Sequence, residues 1–356
     1  MVTVAHTTNL THGLPTFVEG AFGVDLFFVI SGFVMMYSTD RLFGRADGPL
    51  TFIKRRLIRI VPLYWLVTTL TLLSWWILAW LFKVSWPEYT ATNIVGSYLF
   101  IPTSRPNNDT GPVVWQGWSL NYEMFFYVIF ALFVFLPRKF AGPGVLAALL
   151  GLYAFGAPQP FGYFATHLLW LFMTGIVIGL LYRKIGLSRT MGLVCLLAGF
   201  AIFAFVSDRF REAGYWQYAS IAAGLIVLGA LHLEPVKPGK FWSWIVLLGD
   251  ASYALYLFHG LTMQQFHYTL RWFRDSLDAF QWLYMIVLVA SSTAFAILVY
   301  LYVERPTTEW LQRLTTRRAT PATAWSVART NNPHQSTRIA AASPPGRFRS
   351  RVRNKG

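Results

Sequence analysis

Apolar positions follow one another along the chain in long unbroken runs, which polar residues interrupt at short intervals. A helix needs about 20 apolar residues to cross a bilayer. Nine runs approach that length, at 21–38, 60–82, 118–136, 144–157, 163–182, 190–206, 215–232, 242–262 and 280–303. The pattern therefore predicts an all-α fold, a polytopic bundle of membrane-spanning helices.

Basic residues occupy alternate connections between these runs. They collect in 39–59, 138–139, 183–189 and 237–240, and again after the last run, whereas the other connections balance acidic and basic residues. Lys and Arg in short loops stay on the cytoplasmic side of a membrane. We therefore expect the basic connections and the C-terminus to be cytoplasmic.

The start of the chain is unusual under this topology. The run at 21–38 then passes from outside to inside, which puts residue 1 outside. Either a short tail is translocated, or the segment MVTVAHTTNL is the end of a helix whose beginning is missing. We expect the first helix to be truncated.

Composition supports a membrane protein and argues against several other classes. The 356 residues are 55% hydrophobic and 13% charged, about half the charged share of a soluble domain. The single cysteine, Cys195, lies within an apolar run and excludes a disulfide framework. No phosphate-binding glycine motif and no metal-ligand spacing is found in the sequence.

The net charge of +15 needs no nucleic-acid partner, because much of it lies after residue 306. We expect a membrane-embedded domain at 1–306 and a disordered cytoplasmic tail at 307–356, since the tail is rich in Arg, Ser, Pro and Ala. Such a tail rests on anionic lipid. RNA binding is the alternative reading.

Few ionisable side chains fall at membrane depth, and each is a candidate for function because burying it is costly. They are His6, Asp25, Glu123, His167, Asp250 and His259. The alternative for each is a buried polar group that bonds a neighbouring helix. Histidine is the natural general base near neutral pH.

Four cations stand together in the stretch KRRLIRIVPLYW, at the mouth of the second run. Arg56 and Arg59 are three residues apart, so on a helix they share one face. Two guanidinium groups on one face suit a phosphate or carboxylate. The simpler reading is a cytoplasmic anchor for the helix.

Five segments in order resemble the acyltransferase-3 family of integral membrane acyltransferases, and most closely its bacterial exopolysaccharide O-acetyltransferases of the succinoglycan type. They span residues 20–306 and read FGVDLFFVISGFVM, FIKRRLIRIVPLYW, GWSLNYEMFFY, LGDASYALYLFHG and VERP. The resemblance implies about ten helices in a bacterial inner membrane. It also implies transfer of an acyl group, usually from acetyl-CoA, to a hydroxyl of a cell-surface or exported polysaccharide or its lipid-linked precursor.

The resemblance also assigns roles to residues. His6 inherits the essential histidine of the family's first helix, although that histidine's basic partner has no counterpart here. Arg56 and Arg59 match an Arg-x-x-Arg motif and would hold the phosphates of acyl-CoA. Glu123 would orient an imidazole or bond the sugar. No permanently bound cofactor is implied.

Trp118 and Tyr122 lie near the expected outer mouth and suit stacking against a sugar, although aromatic residues are also common at membrane interfaces. Membrane lipids and the polysaccharide-synthesis machinery are the expected partners. Two other functions stay open: a transporter or flippase for a lipid-linked glycan, and an assembly factor without catalytic activity.

Overall fold

We describe the fold from a computed structural model. It describes residues 3, 22–85, 87, 89–105, 110–156, 161–206, 215–233, 239–269 and 281–316. By their contacts, Met1–Glu309 form one compact unit and Trp310–Gly356 a second. His6 and the chain after residue 316 lie outside the described residues.

The described residues form helices and no strand; their only β-type pairing is an isolated bridge between Ser104 and Thr110. The α-helices are α1 Phe22–Ser38, α2 Gly48–Phe82, α3 Ala91–Tyr98, α4 Trp118–Val134, α5 Arg138–Phe155, α6 Leu168–Leu181, α7 Arg189–Val206, α8 Tyr215–Leu231, α9 Lys240–Asp250, α10 Ser252–Thr269, α11 Gln281–Val299 and α12 Arg305–Thr316. Short 3-10 turns cover Trp115–Gly117 and Phe161–Phe164, and a π-helical turn, Tyr300–Glu304, joins α11 to α12.

The all-α membrane bundle predicted from the sequence is confirmed. Each of the nine apolar runs coincides with one helix or with two consecutive helices. By length and hydropathy, four of the described helices are able to cross a membrane, or five if the bent pair α9–α10 is one span. Three shorter apolar helices, α1, α6 and α8, complete the interior of the bundle.

The run at 242–262 is not one straight helix. It breaks at Ala251, where α9 and α10 meet at a bend of 62°. The Tyr253 hydroxyl at the start of α10 donates to the Ile60 carbonyl at 2.9 Å, so α10 begins beside the basic end of α2. No residue of α9 is buried. By length and hydropathy, α9 and α10 form a candidate span only when taken together.

Glycines allow two helix pairs to pack backbone against backbone. In α1 and α6, a Cβ on Gly32 would overlap backbone atoms of Phe172, and one on Gly175 would overlap those of Val29. Gly175 and Gly179 form the small-xxx-small pattern of membrane helix pairs. Gly229 and Gly192 play the same part between α8 and α7. These contacts place α1 in the interior, against α6 and α8.

Three of the basic connections, 39–59, 138–139 and 183–189, lie on one face of the bundle. Asp40, which follows α1, pairs with Arg138 at the start of α5 at 2.5 Å and with Arg183 after α6 at 2.8 Å. Gly44 N–H donates to the Val134 carbonyl at the end of α4. The alternation of charge in the sequence thus corresponds to a shared face. We name Asp40, Arg138 and Arg183 the Asp40 clamp.

The Asp40 clamp should stabilise the protein at neutral pH but not in acid. Burial acts to raise the pKa of Asp40, but the hydrogen bonds and charges of Arg138 and Arg183 outweigh it and lower that pKa. The stability gained is therefore present above the unfolded-state value, about 3.9, and is lost as the pH falls through the lower folded-state value. We expect Asp40→Asn to cost up to about 1 kcal/mol at pH 7.

Thermal unfolding of the two detergent-solubilised proteins between pH 7 and pH 3 checks this expectation. The difference in melting temperature should shrink below about pH 4. An equal difference at both ends of the pH range would contradict a role for the Asp40 charge.

Candidate active site

The candidate site is built around the start of α4. Residues 110–117, which we name the folded-in segment because most of them are buried, hold this helix start in place. The segment ends in the 3-10 turn Trp115–Gly117, directly before α4. Gly117 is required there, because a Cβ would lie 2.7 Å from the Tyr64 hydroxyl oxygen of α2. Val113 N–H donates to Ser97 Oγ of α3 at 2.8 Å. Contacts from α2 and α3 thus fix where α4 begins.

Glu123 points from α4 into the interior of the bundle and is 5% exposed. Its Oε1 accepts a hydrogen bond from Ser31 of α1 at 2.7 Å and one from the Tyr127 hydroxyl at 2.5 Å. Tyr127 lies one turn further along α4, so the two side chains share a face. Oε2 carries no hydrogen bond from the residues that the structure describes. A carboxyl held on one oxygen leaves the other able to accept a further hydrogen bond.

Arg56 reaches this carboxyl through Tyr127. Its guanidinium carbon lies 5.6 Å from the centre of the Tyr127 ring and 5.4 Å from that of Phe52, within the range of cation–π contacts. Its Nη2 donates to Ser38 Oγ at 2.8 Å. Arg56 is half-buried, whereas Arg59 is exposed.

A second polar group lies between the folded-in segment and α10. The amide nitrogen of Gln116 lies 3.3 Å from His259 Nε2. The other ring nitrogen, Nδ1, is 3.0 Å from the Leu255 carbonyl, an acceptor only. Nδ1 therefore carries the proton, and Nε2 accepts from Gln116. The Tyr256 hydroxyl bonds Ser119 at 2.7 Å and the Gln116 carbonyl at 2.9 Å.

Gln116→Leu should destabilise the protein, because it removes the amide donor from a fully buried imidazole. Losing one partner of a buried hydrogen bond costs about 1–3 kcal/mol. Thermal unfolding in detergent measures the loss, and Gln217→Leu is the matched control because Gln217 is exposed on α8. Equal losses in the two variants would show that Gln116 has no special structural role.

The two aromatic residues predicted to bind a sugar differ in exposure. Trp118 is partly buried and packs edge-on against Tyr122 at 6.0 Å between ring centres. Tyr122 is 5% exposed, and its hydroxyl donates to the Tyr163 carbonyl at 2.8 Å. Rings from α1, α4 and the 3-10 turn Phe161–Phe164 surround it. Trp118 thus offers more surface to a ligand than Tyr122 does.

The other ionisable candidates lie apart from Glu123 in different settings. Asp25 is buried on α1, and its Oδ2 has no hydrogen-bond partner among the described residues. His167 is exposed ahead of α6, and Asp250 is exposed at the bend between α9 and α10. No three His, Cys, Asp or Glu residues in the described ranges are placed to hold a metal ion.

Sequence reasoning missed three residues of the site: Ser31, Gln116 and Tyr127. A signal existed for Tyr127, because it follows Glu123 by four residues in an apolar helix. No signal marked Ser31 or Gln116. Their partners are 92 and 143 residues away in sequence, and only the packing of the helices brings them together.

Comparisons with known proteins agree with this architecture. The family model described as "Acyltransferase domain" matches residues 1–301. The chain is 36% identical to the exopolysaccharide production protein ExoZ of Rhizobium meliloti over 68% of its own length and 76% of that protein. It is 28% identical to the acyltransferase MdmB of Streptomyces mycarofaciens, covering 70% of this chain and 69% of MdmB. No solved structure matches the chain significantly. Since the family model covers most of its length, the chain belongs to the acyltransferase domain family and is a membrane-embedded acyltransferase.

Proposed function

We propose that the protein transfers an acetyl group from cytoplasmic acetyl-CoA to a hydroxyl of an exported polysaccharide or its lipid-linked precursor. The similarity to ExoZ, named for exopolysaccharide production, supports this acceptor. The observation that carries the proposal is a buried carboxyl, Glu123, within a bundle whose basic face exposes Lys54, Arg55 and Arg59. Positive charge suits a phosphorylated donor, and a buried carboxyl suits proton transfer.

The reaction breaks the thioester C–S bond and forms a C–O bond to the acceptor hydroxyl. The hydroxyl proton is removed as the acyl carbon is attacked, and the leaving thiolate gains a proton, so the atoms balance. We assign proton removal to His6, by its match to the family motif, and assign Glu123 to orienting that imidazole or bonding the sugar. Trp118 and Tyr122 are assigned to the sugar.

The basic face is the cytoplasmic face in this proposal. The connections that the Asp40 clamp holds together carry the Lys and Arg excess that fixes orientation. The donor then arrives where Lys54, Arg55 and Arg59 are exposed. We also propose a bacterial inner membrane, from the family and the topology together, and a cytoplasmic C-terminus, from the charge pattern.

Two linked measurements test the proposal. Proton NMR of secreted polysaccharide should show an O-acetyl methyl signal that vanishes when the gene is deleted and returns on complementation. Membranes containing the protein should release free CoA thiol from acetyl-CoA when the acceptor glycan is added. An unchanged O-acetyl signal together with no thiol release would reject the acetyl-CoA-dependent function, and a loss of glycan export without thiol release would identify a transporter.

The assignment of His6 has its own test in the same assay. His6→Ala should abolish thiol release. Retained activity in His6→Ala, together with activity lost in Arg56→Ala, would remove His6 from the role of base.

A further inference from the structure

Arg56 and Arg59 differ in their surroundings although they are only one helical turn apart. Arg59 is exposed and makes no hydrogen bond or ion pair with the residues that the structure describes. The charge of Arg59 also acts on Glu304 in the π-helical turn. Arg56, by contrast, is half-buried and contacts Phe52, Tyr127 and Ser38.

The contacts of Arg56 would compete with binding of a donor phosphate. Its guanidinium occupies a notch between Phe52 and Tyr127, whose rings meet edge to face at 5.9 Å. The Ser38 hydroxyl that accepts from Arg56 itself donates to the Val34 carbonyl at 2.6 Å, which fixes its direction. A phosphate that took Arg56 would have to draw it out of this notch.

The same contacts connect Arg56 to Glu123. Tyr127 presents its ring to the guanidinium and its hydroxyl to Glu123 Oε1, so one side chain joins the cation to the carboxyl. A buried carboxylate is stable only when it is hydrogen-bonded and its charge is compensated. Ser31 and Tyr127 supply the hydrogen bonds, and Arg56 supplies a positive charge against the Tyr127 ring.

We propose that the two arginines have separate roles: Arg59 contacts the donor phosphates, and Arg56 is a positioning residue that holds Glu123 in place through Tyr127. This inference rests on the proposed use of acetyl-CoA. On this view, Arg59 on the exposed side of α2 binds the donor. Arg56 on the inner side of the same helix positions the buried carboxyl of Glu123.

Kinetics with two different acyl donors distinguish the role of Arg59 from that of Arg56. Acetyl-CoA carries phosphates, whereas S-acetylpantetheine has the same thioester without them. Arg59→Ala should raise the KM for acetyl-CoA about tenfold or more, in line with the loss of a charge-assisted hydrogen bond, and leave S-acetylpantetheine kinetics unchanged. Arg56→Ala should lower kcat by a similar factor with both donors. Lys139→Ala, which removes an exposed charge from the same face, controls for the general loss of positive charge.

Coupling to Tyr127 distinguishes positioning from simple destabilisation. Arg56→Ala should have little further effect on kcat in a Tyr127→Leu protein, because the side chain that connects Arg56 to Glu123 is already removed. Arg56→Lys should recover part of kcat, because an ammonium group also binds aromatic rings, and this variant keeps the test valid if Arg56→Ala fails to fold.

Two results would overturn the division of roles: an Arg56→Ala defect that disappears with S-acetylpantetheine, or fully additive effects of the Arg56 and Tyr127 substitutions. Wild-type protein that uses neither donor would instead reject the proposed function itself.

Discussion

Glu123→Gln should reduce acyl transfer by about 10- to 100-fold, the usual effect of losing a hydrogen bond from a charged group that orients the imidazole or bonds the sugar. The amide is the same size as the carboxyl, and its oxygen is able to accept from both Ser31 and Tyr127. The fold around the site should therefore stay intact while the charge and basicity of the carboxyl are lost. Release of CoA thiol from acetyl-CoA, with acceptor glycan present, measures the effect.

Glu309→Gln is the control for Glu123→Gln. Glu309 is exposed and pairs with Arg305 four residues earlier on α12, at 3.0 Å. An exposed pair of this kind contributes little, so activity should stay close to that of the wild type. If Glu123→Gln kept most of its activity and melted at a lower temperature, Glu123 would be a structural residue and not part of the chemistry.

Gly175→Ala should be the most destabilising single-methyl change in the described bundle. The added Cβ would meet the Val29 carbonyl and the Phe33 backbone nitrogen of α1. Backbone atoms in a packed helix pair have no rotamer to change, so α1 and α6 must separate. Overpacking costs about 1–3 kcal/mol, or more where nothing yields. Because Ser31 lies next to Gly32 on α1, the shift should also disturb Glu123 and lower activity.

Gly151→Ala is the matched control, because it makes the same change in α5 where no atom lies within 4 Å of the new Cβ. Alanine favours a helix over glycine by about 1 kcal/mol, so this variant should be as stable as the wild type or slightly more so. Thermal unfolding in detergent compares the two. Equal melting temperatures for Gly175→Ala and Gly151→Ala would contradict the close packing of α1 against α6.

The sequence predicts the helices of this fold well because insertion of a helix into a membrane depends mainly on its hydropathy. Hydropathy does not predict where one apolar run is divided into two helices. The break at Ala251 is marked only by Gly249 and Asp250 within an otherwise apolar run. The short helix α3 carries a local signal: Thr90 and Asn93 form a capping box. Since α3 is only eight residues long, hydropathy over a membrane-length window does not detect it.

The candidate site was predictable only in part. Glu123 stands out because a carboxyl in an apolar run is costly, and the structure places it in the interior, beside Tyr127. The shared helix face of Arg56 and Arg59 did not predict their different exposure. That difference arises in large part from Tyr127 and Ser38, which belong to two other helices and meet Arg56 only in the folded bundle.

Helix α1 serves both the packing of the bundle and the candidate site, which makes it the segment with the least room for sequence change. Ten of its 17 residues are buried, and it supplies Ser31 to Glu123 and Ser38 to Arg56. Helix α9, where none of the 11 residues is buried, is the opposite case. We therefore expect random mutagenesis of α1 to yield few functional variants, whereas α9 should tolerate the exchange of one apolar residue for another.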